Sequence, residues 1–359
     1  MELHQVVVAA APGDAVTGAA FELRTLLRTS GPSDIYARHI DPRLAGDVLP
    51  LESLAGRAGS RPDEDVLVYH ASIGEPTVHS FLMQRPERIV LVYHNISPAS
   101  AFRPYDPAFA DLLDGGRREL HEMRDRVVGA LAVSAFNARE LEEIGYRDVR
   151  VAPLIVDPQP LHDVEPDPDL SRLLRDHVDG PVLLFVGQLL PHKRPDLLIE
   201  AFHLLATAIM PDARLVIVGA PRLARYAQLV EQLVKELNLP RCWLAGAVSF
   251  AQLAAFYRRA DAFVTASEHE GFCAPLVEAM SFGLPVVARD FAAIPDTLGQ
   301  AGLLLPAASG PALLAEAMAA TISDPEVREA VTASGPDEVR RHAPEQARVT
   351  SLDQLLDLV

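Results

Sequence analysis

Two glutamates in "SEHEGFCAPLVEAMSFGLPVV" (residues 267–287), Glu270 and Glu278, have a spacing that suggests chemistry. The preceding "DAFVTAS" is typical of a strand that ends near Ser267, and Pro275 suits the first turn of a helix. A helix N-terminus favours a phosphate, whereas a carboxylate there needs neutral hydroxyl partners such as those of a ribose or sugar ring. The stretch therefore indicates a sugar-nucleotide site. Judged by their spacing alone, the two glutamates could equally be structural: Glu278 would be a solvated helix residue, and Glu270 would be an acid of the first turn that the helix dipole favours.

Length, charge and cysteine content limit the possible classes of protein. The 359 residues suggest about two domains. The net charge of −17 argues against binding to nucleic acid or to anionic lipid, since both need a basic surface. No apolar run approaches the roughly 18 residues of a membrane span, so we expect no integral membrane segment. Two cysteines and the absence of a signal-peptide pattern predict a cytoplasmic protein.

Short apolar runs alternate with helical patterns along the whole chain, which predicts an α/β fold of two doubly wound sheets. A proline-rich acidic segment, residues 157–170, interrupts this alternation and is predicted to be a linker. We therefore predict domains at 1–157 and 170–335, with a last helix at about 340–359 that returns to the first domain. Ligands of open α/β sheets bind at the carboxyl ends of the strands, where the two domains are expected to face each other.

Residues 267–287 resemble the E-x7-E signature of the family 4 retaining glycosyltransferases of the GT-B fold. The resemblance continues in "YHNISP" (93–98), "FVGQLLPHKRPDLLIEAF" (185–202), "LVIVG" (215–219) and "AVSFAQLAAFYRRADAFV" (247–264). It implies two Rossmann-like domains that face each other across a cleft. It also implies retaining transfer of a hexose from a nucleotide-diphosphate sugar to an acceptor hydroxyl, with no bound metal and no other cofactor.

The resemblance also assigns roles in the second domain. Glu270 is expected to contact the donor sugar and Glu278 the ribose hydroxyls. The intervening loop is expected to bring backbone amides to the sugar and the pyrophosphate. Its residues in this chain are Gly271, Phe272, Cys273 and Ala274.

Without a metal, the departing diphosphate must be stabilised by cationic side chains and helix N-termini. The family places a lysine and an arginine there, and the lysine matches Lys193. The arginine position, directly after Gly187, is Gln188 in this chain. Glutamine donates hydrogen bonds but carries no charge, so leaving-group activation is expected to be weaker, unless His192 or Arg194 compensates.

In the first domain, His94 matches a family histidine that reaches toward the donor sugar, and the alternative is a structural histidine bonded to backbone. Gly13 and Asp14 follow the first strand, at the position of the family's loop near the acceptor and diphosphate, although Gly-Asp is also a common turn.

Three further polar residues of the first domain are expected to be structural. His70 and His79 lack the spacing and neighbours of metal ligands. Asn137 is predicted to cap a helix, with Glu140 completing the pattern.

Other functions remain open at this stage. A sugar-nucleotide epimerase or a phosphorylase would share the two-domain architecture, but a phosphorylase needs a lysine for pyridoxal, and Lys235 lies in an ordinary helix pattern. A non-catalytic sugar-nucleotide-binding homologue, or a partner subunit of a transferase, is the main alternative, and Gln188 favours it. The expected ligands are a UDP-, GDP- or ADP-sugar and a glycan, lipid-linked or small-molecule acceptor, with a leaning toward mannosyl or glucosyl transfer in polysaccharide or glycoconjugate synthesis.

Overall fold

The computed structural model describes residues 2–55, 65–176 and 178–359. The chain divides into two compact units. The first comprises Met1–Arg103, Pro107–Ile155 and Ala343–Val359, and the second comprises Pro104–Asp106 and Val156–His342. No helix within the described ranges is long and apolar enough to cross a membrane.

Each unit is built on one sheet of parallel strands. The strands of the first sheet are β1 Leu3–Ala10, β2 Ile35–Ile40, β3 Leu49–Pro50, β4 Val66–Ala71, β5 Arg88–Tyr93, β6 Val127–Ala132 and β7 Val149–Val151. The strands of the second sheet are β8 Val182–Val186, β9 Arg214–Val218, β10 Cys242–Gly246, β11 Ala262–Val264, β12 Val286–Arg289 and β13 Leu303–Leu305.

Helices connect most of these strands. They are α1 Ala15–Leu27, α2 Leu51–Ala55, α3 Pro76–Met83, α4 Ala99–Phe102, α5 Pro107–Met123, α6 Ala135–Ile144, α7 Gln159–Asp163, α8 Pro168–Asp176, α9 Pro195–Leu204, α10 Ala224–Glu236, α11 Phe250–Arg259, α12 Ala274–Ser281, α13 Ile294–Leu298, α14 Pro311–Ser323, α15 Pro325–Thr332, α16 Gly335–Arg341 and α17 Pro344–Leu356. A 3₁₀ turn, Pro191–Lys193, precedes α9, and a π-helical segment, Leu205–Ile209, follows it.

The first sheet has the order β3-β2-β1-β4-β5-β6-β7. Its central strands are apolar because both of their faces are covered by helices. Leu23 and Leu27 of α1 pack in one core cluster with Leu355 and Leu358 from the C-terminal end of the chain. In addition, Arg348 of α17 forms an ion pair of 3.1 Å with Glu22. The C-terminal helix thus belongs to the first unit.

The second sheet has the order β10-β9-β8-β11-β12-β13. Its core includes Phe185 of β8 and Phe202 of α9, both fully buried. The backbone segments that follow β8 and β9 approach each other closely. A Cβ atom on Gly219 would lie 1.8 Å from the carbonyl oxygen of Gly187. Glycine is therefore required at position 219, and this contact fixes the segment that leads to Lys193. The two parallel sheets with their helices confirm the predicted α/β fold class.

The structure differs from the predicted linker at 157–170. That segment contains α7 and the start of α8, and the second unit begins at Val156. Leu161 is buried, and Arg258 donates hydrogen bonds to the carbonyl oxygens of His162 and Val164. The many prolines suggested an open linker, but two of them stand in the first turns of helices instead.

Candidate functional site

The loop between β11 and α12 carries the first glutamate, and α12 carries the second. Pro275 lies in the first turn of α12, and Gly283 follows its end with a φ of +68°. Cys273, the N-cap residue, has a φ of +73°, in the left-handed region that a non-glycine residue rarely adopts. The loop therefore turns sharply onto the helix, so the amide of Ala274, which lacks an intrahelical acceptor, is presented at the helix N-terminus.

Lys193 and Glu270 form a buried ion pair. Lys193 Nζ lies 2.7 Å from Glu270 Oε1, and the side chains are only 17% and 9% exposed. Ser267 Oγ donates to the same oxygen at 2.8 Å. Burial lowers the pKa of Lys193, but the Glu270 carboxylate outweighs it, so the pKa of Lys193 is raised and the side chain is charged. The structure thus brings together a lysine and a glutamate that the sequence separates.

Neither chain neighbour of Lys193 provides a second cation for the diphosphate. Arg194 forms ion pairs with Asp196, at 3.1 Å, and with Glu268, so two carboxylates balance its charge. His192 is 8% exposed, and burial holds the pKa of its ring well below the usual value, so the ring is neutral. The expected compensation for Gln188 is therefore absent from these two side chains.

Gly187 and Gln188 lie where the chain leaves β8. The Gly187 amide donates to the carbonyl oxygen of Val218 at 2.8 Å. A Cβ on Gly187 would lie 3.2 Å from Cδ of Lys193, so this glycine lets the lysine side chain lie against the backbone. Gln188 is half-buried, and within the described residues its side-chain amide is not hydrogen-bonded.

Glu278 is held by Tyr257, which the sequence pattern does not single out. The hydroxyl of Tyr257 donates to Glu278 Oε2 at 2.6 Å. The Tyr257 ring stacks on Phe282 with a centroid separation of 5.2 Å. Burial raises the pKa of Glu278, and the Tyr257 hydrogen bond opposes this shift. The sequence gives no signal for the contact, because Tyr257 lies on another helix, α11.

The loop residues between the two glutamates are anchored through their backbone. The carbonyl oxygen of Phe272 accepts from the Thr297 hydroxyl, and the carbonyl oxygen of Glu270 accepts from the Ala293 amide at 3.2 Å. Phe272 is buried, whereas Gly271 and Ala274 remain partly exposed. Burial raises the pKa of Cys273 well above its usual value, so its thiol is protonated and uncharged.

In the first unit, His94 directly follows β5. Its amide donates to the carbonyl oxygen of Ala71 at 2.9 Å, and its ring Nε2 lies 2.9 Å from Nδ1 of His70. The two rings stack with centroids 5.1 Å apart. Burial lowers the pKa of His94 to about 4, so the ring is neutral at pH 7.

A buried polar network fixes the loop that follows His94. Asn95 has a φ of +81°, and its amide donates to Asn137 Oδ1 at 2.8 Å and to Glu140 Oε2 at 2.7 Å. The prediction that Asn137 caps a helix is wrong, because Ser134 is the N-cap and accepts from the Asn137 amide. Asn137 and Glu140 instead hold Asn95, since both face inward from α6 beside this loop.

The remaining predicted residues of the first unit have local partners. Asp14 is the N-cap of α1, and its Oδ2 accepts from both the amide and the hydroxyl of Thr17 at 2.8 Å. Gly13, with a φ of +76°, forms the turn before it. His79 lies 3.4 Å from Glu122. In the parts of the chain that the structure describes, no three histidine, cysteine or acidic side chains converge as metal ligands.

Comparison with known proteins finds similar sequences and similar folds. Residues 172–337 match the family model of glycosyl transferases group 1. The chain is similar to a GDP-mannose-dependent alpha-mannosyltransferase of Mycolicibacterium smegmatis, with 35% identity over 37% of this chain and 30% of that protein. It is also similar to the alpha-maltose-1-phosphate synthase of the same organism, with 28% identity over 81% of this chain and 79% of that one.

The matched segments span only 30% to 34% of the length of several curated relatives. Among solved structures, Anabaena HepE in complex with UDP-glucose superposes with a TM-score of 0.76 at 17% identity, over 99% of this chain and 100% of that one. This likeness shows the fold. The chain therefore has the GT-B fold, and its residues 172–337 match the family of glycosyl transferases group 1.

Proposed function

We propose that this chain is a nucleotide-sugar-dependent hexosyltransferase that retains the configuration of the anomeric carbon and needs no metal ion. The observation that carries the proposal is the Lys193–Glu270 pair beside the N-terminus of α12. A protonated lysine and a helix N-terminus both favour the diphosphate of such a donor. The carboxylates of Glu270 and Glu278, which we propose bind hydroxyls, lie at either end of the segment that leads into α12.

The two glutamates each keep one oxygen for a ligand. Oε1 of Glu270 accepts from Lys193 and Ser267, and Oε2 makes no hydrogen bond to the described residues. Likewise, Oε2 of Glu278 accepts from Tyr257, and Oε1 makes no such bond. A carboxylate oxygen only accepts hydrogen bonds, so each suits a hydroxyl. We assign Oε2 of Glu270 to the sugar and Oε1 of Glu278 to the ribose.

Sugar transfer breaks the bond between the anomeric carbon and the diphosphate oxygen, so negative charge grows on the leaving nucleoside diphosphate. Lys193 has three N–H donors, and one of them faces Glu270. The other two make no hydrogen bond to the residues that the structure describes, so they can donate to phosphate oxygens, and this attraction strengthens as the charge develops. The amide of Ala274 and the half-buried side chain of Gln188 would add neutral donors.

The donor is proposed to be a UDP-, GDP- or ADP-sugar. We propose that the reaction requires only this donor and the acceptor, and no resident cofactor. The names of two relatives refer to mannose and to maltose, and the HepE structure contains UDP-glucose, which favours a hexose as the transferred sugar. We propose a glycan, lipid-linked or small-molecule acceptor in polysaccharide or glycoconjugate synthesis. Both cysteines are free thiols, which suits the proposed reducing cytoplasm.

A thermal-shift screen of UDP-, GDP- and ADP-sugars, followed by a donor-hydrolysis assay and NMR of the product, tests the proposal. We expect one nucleotide class to stabilise the chain and an α-linked sugar product from an α-linked donor. An inverted product would contradict the retaining mechanism. Tight donor binding without hydrolysis or transfer would instead support a non-catalytic homologue, which the neutral Gln188 favours.

A further inference from the structure

A network of four charged side chains lies in the second unit, around the loop between β11 and α12. Glu268 of this loop accepts from Arg194 and, at 3.2 Å, from Arg289 of β12. Arg194 also forms an ion pair of 3.1 Å with Asp196. The two positive and two negative side chains of this network balance each other. The sequence pattern singles out Arg194 but neither Glu268 nor Arg289.

Glu268 joins the two chain segments that carry the buried ion pair of the candidate site. Arg194 directly follows Lys193, and Glu268 precedes Glu270 by two positions. The amide of Glu268 donates to the carbonyl oxygen of His192 at 2.8 Å, so the same two segments are also bonded through the backbone. The residues on both sides of Lys193 in the chain are thus fixed to Glu268.

Arg289 connects Glu268 to the sheet. It is the last residue of β12, and it is only 5% exposed. Its guanidinium also donates to the carbonyl oxygen of Ala266, at 3.2 Å, and to that of Ala307. Exposed ion pairs contribute little, but removal of one partner of a buried pair leaves an uncompensated charge. Without the Glu268 carboxylate, the buried Arg289 would lose the counter-charge to which it is bonded.

The turn that carries Lys193 has a conformation that depends on its surroundings. Arg194 has a φ of +50°, in the left-handed region that a residue with a Cβ atom rarely adopts. Such a conformation persists only where the surrounding contacts favour it. The ion pairs of the Arg194 side chain with Asp196 and Glu268 are contacts of this kind.

Resting on the sugar-transfer function proposed above, we propose that Glu268 is a positioning residue that holds the ammonium of Lys193 against Glu270. It acts through the two arginines, because Arg194 links it to the turn of the lysine and Arg289 links it to the sheet. Glu268 itself touches no substrate in this role. A displacement of the ammonium by about 1 Å would be enough to weaken its attraction to the charge that develops on the leaving diphosphate.

The chain has only two lysines, which allows a test that does not depend on activity. In a ligand-free Lys235→Ala protein labelled with ¹⁵N-lysine, the side-chain ammonium signal belongs to Lys193 alone. Its protons exchange with water slowly while the pair with Glu270 is closed and faster when the pair opens. We expect Glu268→Gln to accelerate this exchange about tenfold, the effect of losing one charge-assisted hydrogen bond. Glu231→Gln, which removes an exposed charge from α10, is the matched control and should leave the exchange unchanged.

A second variant covers the case in which Glu268→Gln fails to fold. Arg194→Gln breaks the link to the turn and leaves the pair of Glu268 with Arg289 in place, and it should accelerate the exchange by a similar factor. A folded variant of either kind that exchanges at the rate of the Glu231→Gln control would overturn the proposal. Because no donor is present in this measurement, the result is the same whether or not the chain transfers a sugar, so a failure of this inference is distinct from a failure of the proposed function.

Kinetics with UDP-glucose and GDP-mannose as donors test the consequence for the reaction. Glu268→Gln should lower kcat about tenfold and change KM little, because Lys193 acts on charge that develops after the donor has bound. In a Lys193→Ala background, Glu268→Gln should lower kcat no further. Equal losses of kcat in the two backgrounds would show that Glu268 merely stabilises the fold, and this result would overturn the proposal.

Discussion

Lys193 Nζ and Glu270 Oε1 are 2.7 Å apart, although the two residues are separated by 77 positions in the chain. The Glu270 carboxylate keeps Lys193 in its charged form, because an isolated ammonium at such a buried position would be costly. The pair is neutral as a whole before a donor binds. An incoming diphosphate therefore finds an ammonium that is already charged and oriented, and this lowers the cost of reorganisation during the reaction.

Replacing Lys193 with alanine should abolish most of the turnover. The lysine is the candidate cation for the charge that develops on the leaving diphosphate, so Lys193→Ala should lower kcat about 100-fold or more. Glu270 would also lose its buried partner, so the free energy of unfolding should fall by about 3 kcal/mol. Donor hydrolysis and urea unfolding measure the two effects.

The chain offers a matched control for this variant, since its only other lysine is Lys235. Lys235 is exposed on α10, so Lys235→Ala removes the same charge without touching the candidate site. Its turnover and stability should match the wild type. If Lys193→Ala behaves like this control, the site is not organised around Lys193.

Glu270→Gln and Glu278→Gln should have different kinetic effects. Glu270 faces Lys193 and is proposed to contact the sugar, so its amide variant should mainly lower kcat. Glu278 is proposed to bind ribose hydroxyls, which are the same in the ground and transition states, so Glu278→Gln should mainly weaken donor binding. An amide oxygen can still accept from Tyr257, which preserves the local structure. Calorimetric donor affinities and kcat values, measured on both variants, distinguish the roles; equal losses of donor affinity would refute the assignment.

The regular part of the fold follows from local pattern. The apolar strands alternate with helices, and Pro275 and Gly283 mark the ends of α12 as their backbone preferences require. The pattern misses β2, β3 and β13, which lie at or next to the edges of their sheets. The strands β3 and β13 have only two and three residues, too few to define a period. The linker prediction also failed, because proline content does not distinguish a helix start from an open segment.

The site was predictable only in part. Glu270, Glu278 and Lys193 stand out by residue type and motif position, so the sequence could nominate them. Their partners could not be found in this way. Tyr257 reaches Glu278 from a different helix, α11, and side-chain contacts between elements have no period in the sequence. Ser267 lies in the same loop as Glu270, but its hydrogen bond depends on the conformation of that loop, which the residue types do not determine.

Removal of divalent cations should leave activity unchanged. The proposed stabilisation of the leaving diphosphate relies on Lys193 and the N-terminus of α12, and neither needs a metal. Transfer rates after dialysis against EDTA should equal those before it. A loss of turnover that Mg²⁺ or Mn²⁺ restores would contradict this expectation, since the cation would then be part of the reaction.

The stability of the chain should decrease below pH 6.5 because of His94. Burial lowers the folded-state pKa of His94 from 6.5 to about 4. On acidification the His94 ring of the unfolded state takes up a proton near pH 6.5, whereas the ring of the folded state takes it up only near pH 4. The contribution of the neutral ring to the free energy of unfolding is therefore complete above pH 6.5 and is lost as the pH falls from 6.5 to about 4. Urea unfolding of the wild type and of His94→Gln at pH 7, 5.5 and 4.5 tests this. The variant should show a shallower decrease, and identical slopes would show that His94 does not titrate in this range.

Gln188→Arg should strengthen leaving-group activation. Gln188 is half-buried beside the Lys193 segment, and its side-chain amide is free of hydrogen bonds to the described residues, so an arginine there breaks no existing bond. A guanidinium carries a permanent charge and binds phosphate oxygens with two parallel hydrogen bonds. If the loop after β8 can direct the guanidinium to the diphosphate, turnover should rise or nucleotide affinity should tighten, about tenfold for one added charge-assisted hydrogen bond.

Gln188→Met is the matched control, because methionine keeps the length of the side chain without a charge or a hydrogen-bond donor. This variant should lower turnover and nucleotide affinity slightly. Equal behaviour of the arginine and methionine variants would show that position 188 does not face the diphosphate.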